Sequence, residues 1–458
     1  MALDVQSNWN VSMAENLERT MNKPTNHDRI PPPSNPSGHP TTVSPPPRGP
    51  PIHLPDEIII AILSYLPHQR TLLACTQLSH QWHAIATPLL YAHPHLYGSN
   101  YDPFVASLCP SINPHVRRSP LSSLVKVLDM RQLVHQGSKS TTARVLGRVK
   151  GQLEEFRAPQ ASLGINCLPA LGKCGRLRVL DLGLVSESPP LLELFKTVGG
   201  LGELRVLKLP RSSGFGVQSK ASAFESVQWP PKLEELCLSG GIDAHFLHGV
   251  VAFPKTLKGL TIEHCPNAKG FAVTHLLKTA VQGLEGLEWL KIAHMPRLGG
   301  RALDGVLHLL PQLKKLSVSA DYITPGVFED GLPEAPASGE IAPNWLPEAA
   351  GPLVHSNLRT LELTYSGAPA GVEDKITAID IMIAIDDGSV PNLRQVRVDQ
   401  ALLWQSAGMR QDVEALTDVL QEGARRDWEN GDWIFDGMER GKSEQREVWK
   451  RESGVWIF

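Results

Sequence analysis

A six-residue pattern, apolar-x-x-apolar-x-apolar, recurs ten times between residues 125 and 398. The copies begin at Val125, Leu153, Leu177, Leu204, Leu233, Leu257, Leu287, Leu313, Leu358 and Leu393. Successive copies start 24 to 30 residues apart as far as Leu313, and the last two intervals are 45 and 35 residues. Alternate side chains of a strand lie on one face, so each copy predicts a short strand with one apolar face. Such a face cannot form a core alone, but strands stacked side by side would bury it continuously.

The segments between the copies have the apolar spacing of helices, as in "PPLLELFKTVGG", "KGFAVTHLLKTAVQGL" and "GGRALDGVLHLLPQ". Parallel strands require such crossover connections. Most of the intervals also lie within or next to the period of leucine-rich repeats, which is about 20–29 residues. The sequence therefore predicts an α/β leucine-rich-repeat solenoid over residues 125–405, with parallel strands on the concave side and helices on the convex side.

Two segments depart from this repeat. The 45-residue interval contains an insertion, residues 320–356, with six acidic residues, six prolines and no lysine or arginine. We expect it to leave the scaffold as an acidic loop. The sequence of residues 406–458 predicts a helix followed by a tryptophan-rich end. We expect these tryptophans to cap the solenoid core. They are Trp428, Trp433, Trp449 and Trp456.

The N-terminal region has a different composition. Residues 22–51 contain eleven prolines and almost no large apolar side chains. Such a segment buries too little apolar surface to offset its chain entropy, so residues 1–51 are predicted to be a disordered proline-rich tail. A PxxP ligand beside Arg48 is an alternative to a simple linker, although short PxxP matches are common in such tails. Residues 96–124 are interpreted as a linker or N-terminal cap of the repeats.

A helix follows the tail in "HLPDEIIIAILSYLP", which contains six consecutive apolar residues at positions 58–63. Pro55 suits the first turn of a helix, and the two acidic residues after it favour the same end. Ile58, Ile62 and Leu66 share one face of this helix. A helix that is apolar around most of its circumference must be covered on more than one side, so we expect it to have a partner.

Residues 54–91, "LPDEIIIAILSYLPHQRTLLACTQLSHQWHAIATPLLY", resemble the F-box. That family begins with LPxEI, continues through an apolar helix and a leucine-rich second helix, and has a small polar residue three positions before a tryptophan, here Ser79 and Trp82. The "CTQL" stretch departs from the valine-containing run that is usual at this point. The resemblance implies a three-helix F-box at residues 52–95. The residues that it implies for adaptor binding are Leu54, Pro55, Ile58, Ile62, Leu66, Leu78 and Trp82.

The F-box and the repeats together make the chain similar to F-box and leucine-rich-repeat proteins, and "TPLLYAHPHL" is similar to fungal members in particular. This resemblance implies a substrate-recognition subunit of an SCF-type cullin–RING ubiquitin ligase, which binds the Skp adaptor through the F-box and a protein substrate through the repeats. One alternative is a non-degradative scaffold that binds the adaptor without cullin. Another is a helical hairpin that only caps the first repeat.

The variable positions of the strands face the concave side, where a substrate would bind. Their charged side chains are six basic and seven acidic, so the face is mixed rather than a phosphate-binding stripe. Trp289 is a candidate because exposed aromatic side chains often contribute much of the binding energy. Stacking on neighbouring repeats is an equal alternative for Trp289. The substrate-binding candidates are Trp289, Lys291, Lys315 and Glu263.

Composition and motifs argue against several other functions. The net charge of −3 argues against a general nucleic-acid binder, and no apolar run approaches the ~18 residues of a membrane span. The six cysteines form no CxxC pair and no secretory signal is evident, so we expect reduced thiols and a cytoplasmic or nuclear location. Cys265 is interpreted as a buried apolar residue. Catalytic motifs and metal-ligand spacings are absent, so no cofactor, metal or enzymatic activity is predicted.

Overall fold

The computed structural model describes residues 54–66, 68–111, 119–134, 136–211, 228–241, 253–268, 270–280, 284–329, 356–367, 375–431 and 448–458. The predicted proline-rich tail, Trp433 and residues 330–355 of the predicted acidic insertion lie outside these residues. Among the described residues, no helix is both long and apolar enough to span a bilayer.

In the described part of the chain, eleven parallel strands form one sheet in strict sequence order. The strands are β1 (Val127–Asp129), β2 (Glu155–Arg157), β3 (Val179–Asp181), β4 (Val206–Lys208), β5 (Glu235–Ser239), β6 (Gly259–Glu263), β7 (Trp289–Ala293), β8 (Lys315–Ser319), β9 (Thr360–Thr364), β10 (Gln395–Val398) and β11 (Gly454–Ile457). Each strand pairs only with its sequence neighbours, which is the arrangement of a solenoid. The predicted leucine-rich-repeat fold is confirmed.

Helices lie before the sheet and in several of the segments that return from one strand to the next. They are α1 (Asp56–Ser64), α2 (Gln69–Cys75), α3 (His80–Ala92), α4 (Gly98–Leu108), α5 (Lys139–Val149), α6 (Leu168–Leu171), α7 (Leu191–Gly199), α8 (Gly270–Ala280), α9 (Val306–Leu309), α10 (Ala378–Asp386), α11 (Arg410–Asn430) and α12 (Val448–Glu452). Short 3-10 turns occur at Pro120–Ser123, Ile165–Cys167, Pro325–Phe328 and Gln400–Leu402.

The core follows from the repeat pattern. The second residue of each of the first ten strands is buried, with at most 1% of its surface exposed: Leu128, Phe156, Leu180, Leu207, Leu236, Leu260, Leu290, Leu316, Leu361 and Val396. These side chains are aligned by the register of the strands, as in the Leu260–Leu290 pair. A continuous apolar layer therefore runs the length of the sheet.

The first helices run directly into the repeats. The backbone N–H of Lys126 donates to the carbonyl of Ala92 at the end of α3, at 3.0 Å. His95 then forms a parallel bridge with Asp129 of β1. The chain after α3 therefore continues the pairing pattern of the sheet beyond its first strand.

The structure differs from the sequence prediction in two places. The start of the insertion is packed rather than looped out, because Tyr322, Ile323, Val327 and Phe328 are buried. The C-terminal end contains α11 as expected, but Trp456 lies in β11, which pairs with β10 and adds a strand that the repeat pattern does not predict. Trp428, Trp449 and Trp456 are all half-buried.

Candidate functional site

Helix α1 begins where the sequence predicts. The carbonyl of Pro55 accepts the backbone N–H groups of Ile58 and Ile59 at 3.1 and 3.2 Å. Asp56 lies in the first turn, and its Oδ1 accepts a 2.6 Å hydrogen bond from Nε2 of Gln81 in α3. A carboxylate in the first helical turn also complements the helix dipole. The start of α1 is thereby tied to the start of α3.

The apolar residues of α1 divide into a covered face and an exposed face. Ile59 and Leu63 are 0% and 2% exposed, and α1 packs against α3. Ile58 and Ile62 are 48% and 40% exposed. The three-helix unit therefore satisfies one face of α1 and leaves the other open to solvent.

The spacing between Ser79 and Trp82 has a structural cause. Ser79 caps the N-terminus of α3, and its side-chain oxygen accepts the backbone N–H of Trp82 at 3.3 Å. A serine or threonine in this position satisfies one of the unpaired donors at a helix start. Leu78, immediately before the cap, is 64% exposed.

The predicted adaptor-binding residues occupy different environments. Pro55, Ile58, Ile62 and Leu78 are exposed, whereas Leu54, Leu66 and Trp82 are half-buried. The structure adds two exposed apolar side chains that the prediction missed, Ile60 at 48% and Tyr65 at 84%. Ile60 lies on the opposite side of α1 from Ile58 and Ile62, because a helix has about 3.6 residues per turn. We call Ile58, Ile62, Tyr65 and Leu78 the F-box surface. Ile58 and Ile62 lie one turn apart on the same face of α1, so their exposed side chains are neighbours.

The variable positions of the sheet form rows that cross the strands. In one row, Glu235 of β5 is in register with Gly259 of β6, Gly259 with Trp289 of β7, and Trp289 with Lys315 of β8. Gly259 leaves room for the neighbouring indole, since an added β-carbon would lie 2.0 Å from Cε2 of Trp289. Trp289 is half-buried, which is compatible both with contact to a substrate and with stacking on the neighbouring repeats.

Charged side chains on this face pair across neighbouring strands. Lys291 and Glu263 are 3.1 Å apart. Glu362 pairs with Lys315 at 3.4 Å and with Arg397 at 3.6 Å. These pairs are partly exposed and each contributes little to stability. Their effect is to leave the face with alternating charge.

A depression of about 250 Å³ opens on the sheet between strands β4 and β7. Trp289, Lys291 and Glu263 line it together, whereas Lys315 does not. The other polar lining residues are Lys208, Glu235, Cys237 and Thr261. Three of the four predicted substrate-binding residues therefore meet at one cavity, which is large enough for a side chain of a bound protein.

The thiols of Cys237 and Cys265 are not activated as nucleophiles. Burial, followed by the nearby carboxylate of Glu263, raises the pKa of Cys237 to about 12. Burial also raises the pKa of Cys265, which is 0% exposed, as expected of a core residue. A thiol with a raised pKa stays protonated and is a poor nucleophile. Among the described residues, no group of three histidine, cysteine or acidic side chains could hold a metal ion.

The chain is similar to one protein family model and to several known proteins. The F-box-like family model matches residues 52–97. Protein pof5 of Schizosaccharomyces pombe is 29% identical over 333 residues, which cover 73% of this chain and 84% of that protein. F-box protein YDR306C of Saccharomyces cerevisiae is 32% identical over 325 residues, which cover 70% of this chain and 62% of that protein.

Two solved structures are also similar. A chain in the yeast Rad7 and Elc1 complex has 17% identity and a TM-score of 0.43, with 61% of this chain and 64% of that chain covered. An internalin, InlF, of Listeria monocytogenes has 12% identity and a TM-score of 0.33, with 72% and 88% covered.

Proposed function

We propose that this chain, which contains an F-box-like domain and is homologous to two fungal F-box proteins, is the substrate-recognition subunit of an SCF-type ubiquitin ligase. The observation that carries the proposal is the division of α1 into two apolar faces. Ile59 and Leu63 are covered within the three-helix unit, whereas Ile58 and Ile62 are exposed. We assign the exposed face to the Skp adaptor.

Burial of the F-box surface would supply part of the binding energy of this contact. Full burial of a large apolar side chain stabilises by about 1.5–3 kcal/mol. Ile58 and Ile62 are about half exposed, so covering both contributes about 2 kcal/mol. Tyr65 and Leu78 expose larger fractions of their surface. The F-box surface as a whole can therefore contribute several kcal/mol, before the entropy lost on association is subtracted.

We assign the substrate to the concave face of the sheet. Ten steps between eleven strands, at about 4.8 Å each, give an arc of about 48 Å. That length accommodates a folded protein or an extended peptide. The depression beside Trp289 lies on this face and would take an anchoring side chain.

The chain itself would carry out no chemistry. Its two functional surfaces would hold the adaptor and the substrate in one assembly, and the ligase subunits would supply the catalytic groups. Holding two reactants together raises their effective concentration. We place this activity in the cytoplasm or the nucleus, where cullin–RING subunits would be available.

Copurification of the Skp adaptor and cullin tests the proposal. The double variant Ile58→Glu, Ile62→Glu should lose both proteins, because two charges would be buried against the adaptor. The matched control is Ile379→Glu, Ile383→Glu on α10, where two isoleucines at the same helical spacing are 46% and 53% exposed. The control should retain both proteins.

The possible outcomes separate the alternatives. If the wild-type chain copurifies the adaptor without cullin, the chain is a non-degradative scaffold. If a folded F-box variant keeps the adaptor, the exposed face of α1 is not the binding surface. If the wild-type chain binds no adaptor, the three helices only cap the repeats.

A further inference from the structure

A second row crosses four strands at the carboxyl edge of the sheet. Lys208, Cys237, Thr261 and Lys291 are in register on β4 to β7. Three residues further along the chain, beyond the end of each strand, come Arg211, Gly240, His264 and His294. The pairing continues into this row, since the backbone N–H of Gly240 donates to the carbonyl of His264 at 3.1 Å. Four consecutive repeats thus bring one arginine and two histidines to the same edge.

The two histidines occupy equivalent turns. Gly240, His264 and His294 have φ values of 83°, 54° and 53°, which is the left-handed region that few non-glycine residues adopt. The imidazole rings of His264 and His294 are stacked, with centroids 4.4 Å apart and planes 9° apart. The same turn, repeated in two adjacent repeats, therefore places the two rings side by side.

The charges around the row are predominantly positive. Arg211, His294, Lys291 and Glu263 all act on His264. The Glu263 carboxylate is already paired with Lys291 at 3.1 Å. Burial, then Arg211 and His294, lower the pKa of His264, against the opposing effect of Glu263. Among the described groups that act on His264, Glu263 is the single carboxylate, and Lys291, His264 and Arg211 share it, so the cationic groups outnumber the anionic one.

We propose that Arg211, His264 and His294 form an anion-binding site that holds a carboxylate or phosphate group of the bound substrate. That the anion belongs to a substrate rests on the proposed function, whereas the anion site itself rests on the geometry of the row. Guanidinium and imidazolium N–H groups form charge-assisted hydrogen bonds with both kinds of anion. A bound anion would offset the mutual repulsion of the cationic groups.

The site adjoins the depression on the concave face. Lys291 and Glu263 line that depression and also face His264. One substrate segment could therefore place a side chain against Trp289 and an anionic group on the row. This arrangement would select acidic or phosphorylated segments on a face whose overall charge is mixed.

Titration of the full chain with inorganic phosphate tests the site directly. The imidazole Cε1–H signals of His264 and His294 would be followed by NMR at about pH 6.5, near the ordinary histidine pKa. We expect both signals to shift together and to saturate as phosphate is added. Sodium chloride at matched ionic strength should produce no saturable shift. Acetate in a parallel titration shows whether the site prefers a carboxylate or a phosphate.

Matched variants locate the response. Arg211→Gln should weaken phosphate binding about tenfold, the effect of losing about 1.4 kcal/mol from one charge-assisted contact. His264→Asn with His294→Asn should weaken it similarly, since asparagine tolerates left-handed backbone. Because that variant lacks both imidazoles, its phosphate binding would be measured by isothermal titration calorimetry. The control is Arg176→Gln, an exposed arginine before β3 at the opposite edge of the sheet.

Two results would overturn the proposal: shifts that do not saturate, or equal phosphate affinity in wild type and Arg211→Gln. Either would leave adaptor copurification untouched, so the anion site can fail while the proposed function stands. Conversely, if the wild-type chain bound no adaptor, the phosphate titration would be unaffected. The two failures are therefore distinguishable.

Discussion

The indole of Trp289 lies over the backbone of Gly259 on the neighbouring strand. A β-carbon added to Gly259 would lie 2.0 Å from Cε2 and 2.1 Å from Cζ2 of the ring. Real β-carbons do not approach so closely, so any side chain at position 259 must displace the indole. The position of Trp289 therefore depends on a glycine in the preceding repeat.

This relationship predicts a strong coupling between the two positions. Gly259→Ala should destabilise the wild-type protein by about 1–3 kcal/mol, as overpacking does elsewhere. In a Trp289→Ala background the same change should be neutral or slightly stabilising, because alanine restricts the unfolded chain. Urea unfolding of the wild type, both single variants and the double variant gives the coupling energy. Equal effects of Gly259→Ala in both backgrounds would show that the contact contributes nothing.

Substrate capture should depend on Trp289 if the depression is the binding site. Truncation of a central aromatic side chain can reduce affinity by more than about 2 kcal/mol, or about thirtyfold. The measurement is a quantitative interactome of wild type and Trp289→Ala, both lacking residues 52–95 so that substrates are retained. Lys258→Ala is the control, since Lys258 is paired with Glu234 outside the depression. An unchanged partner profile would make Trp289 a structural residue.

The two faces of α1 should differ in how much stability they lose when an isoleucine is replaced by alanine. Ile59→Ala should destabilise the protein by about 2–5 kcal/mol because it leaves a cavity at a fully buried position. Ile58→Ala should change stability by less than about 0.5 kcal/mol, because that side chain is 48% exposed. Chemical unfolding followed by circular dichroism compares them. A comparable loss in both would contradict the division of α1 into covered and exposed faces.

The strands were predictable wherever leucine alternation is regular. The second residue of each of the first ten strands, such as Leu236 or Leu290, is buried as the pattern requires. Strand β11 was not predictable in this way, because "GVWI" has no leucine and follows helix α12 rather than a repeat. Its pairing with β10 depends on the fold of the whole C-terminal segment, which a local pattern does not record.

Side-chain environment was harder to predict than the elements. Helical spacing separates Ile58 and Ile62 from Ile59 and Leu63, but it cannot say which pair faces α3; the structure shows that Ile59 and Leu63 do. The row formed by Arg211 and the two histidines also could not be predicted from the sequence. Those residues are separated by whole repeats and meet only because the strands are in register.

The boundary of the acidic insertion can now be placed more sharply. Tyr322 is 1% exposed, and its hydroxyl accepts the backbone N–H of Met295 at 2.7 Å. Deletion of residues 330–355 with a short Gly-Ser bridge should change the thermal midpoint by less than about 3 °C, because closure entropy varies weakly with loop length. A deletion that begins at Tyr322 should instead abolish cooperative melting. If the shorter deletion also does so, residues 330–355 pack as a structural element.

Acid should remove part of the stability that Glu263 provides. Burial alone would raise the pKa of Glu263, but attraction and hydrogen bonding to Lys291, with His264 and Arg211, lower it below its ordinary value. A carboxyl group with a lowered pKa in the folded state stabilises the protein above its unfolded pKa, about 4.3, and loses that contribution as the pH falls through the folded value. Glu263→Gln should therefore be less stable than wild type at pH 7, and the difference should shrink in acid. Urea unfolding at a series of pH values measures it, with Lys291→Met expected to raise the pKa of Glu263 in carboxyl NMR spectra. A stability difference that stays constant with pH would mean that Glu263 acts through packing rather than through its charge.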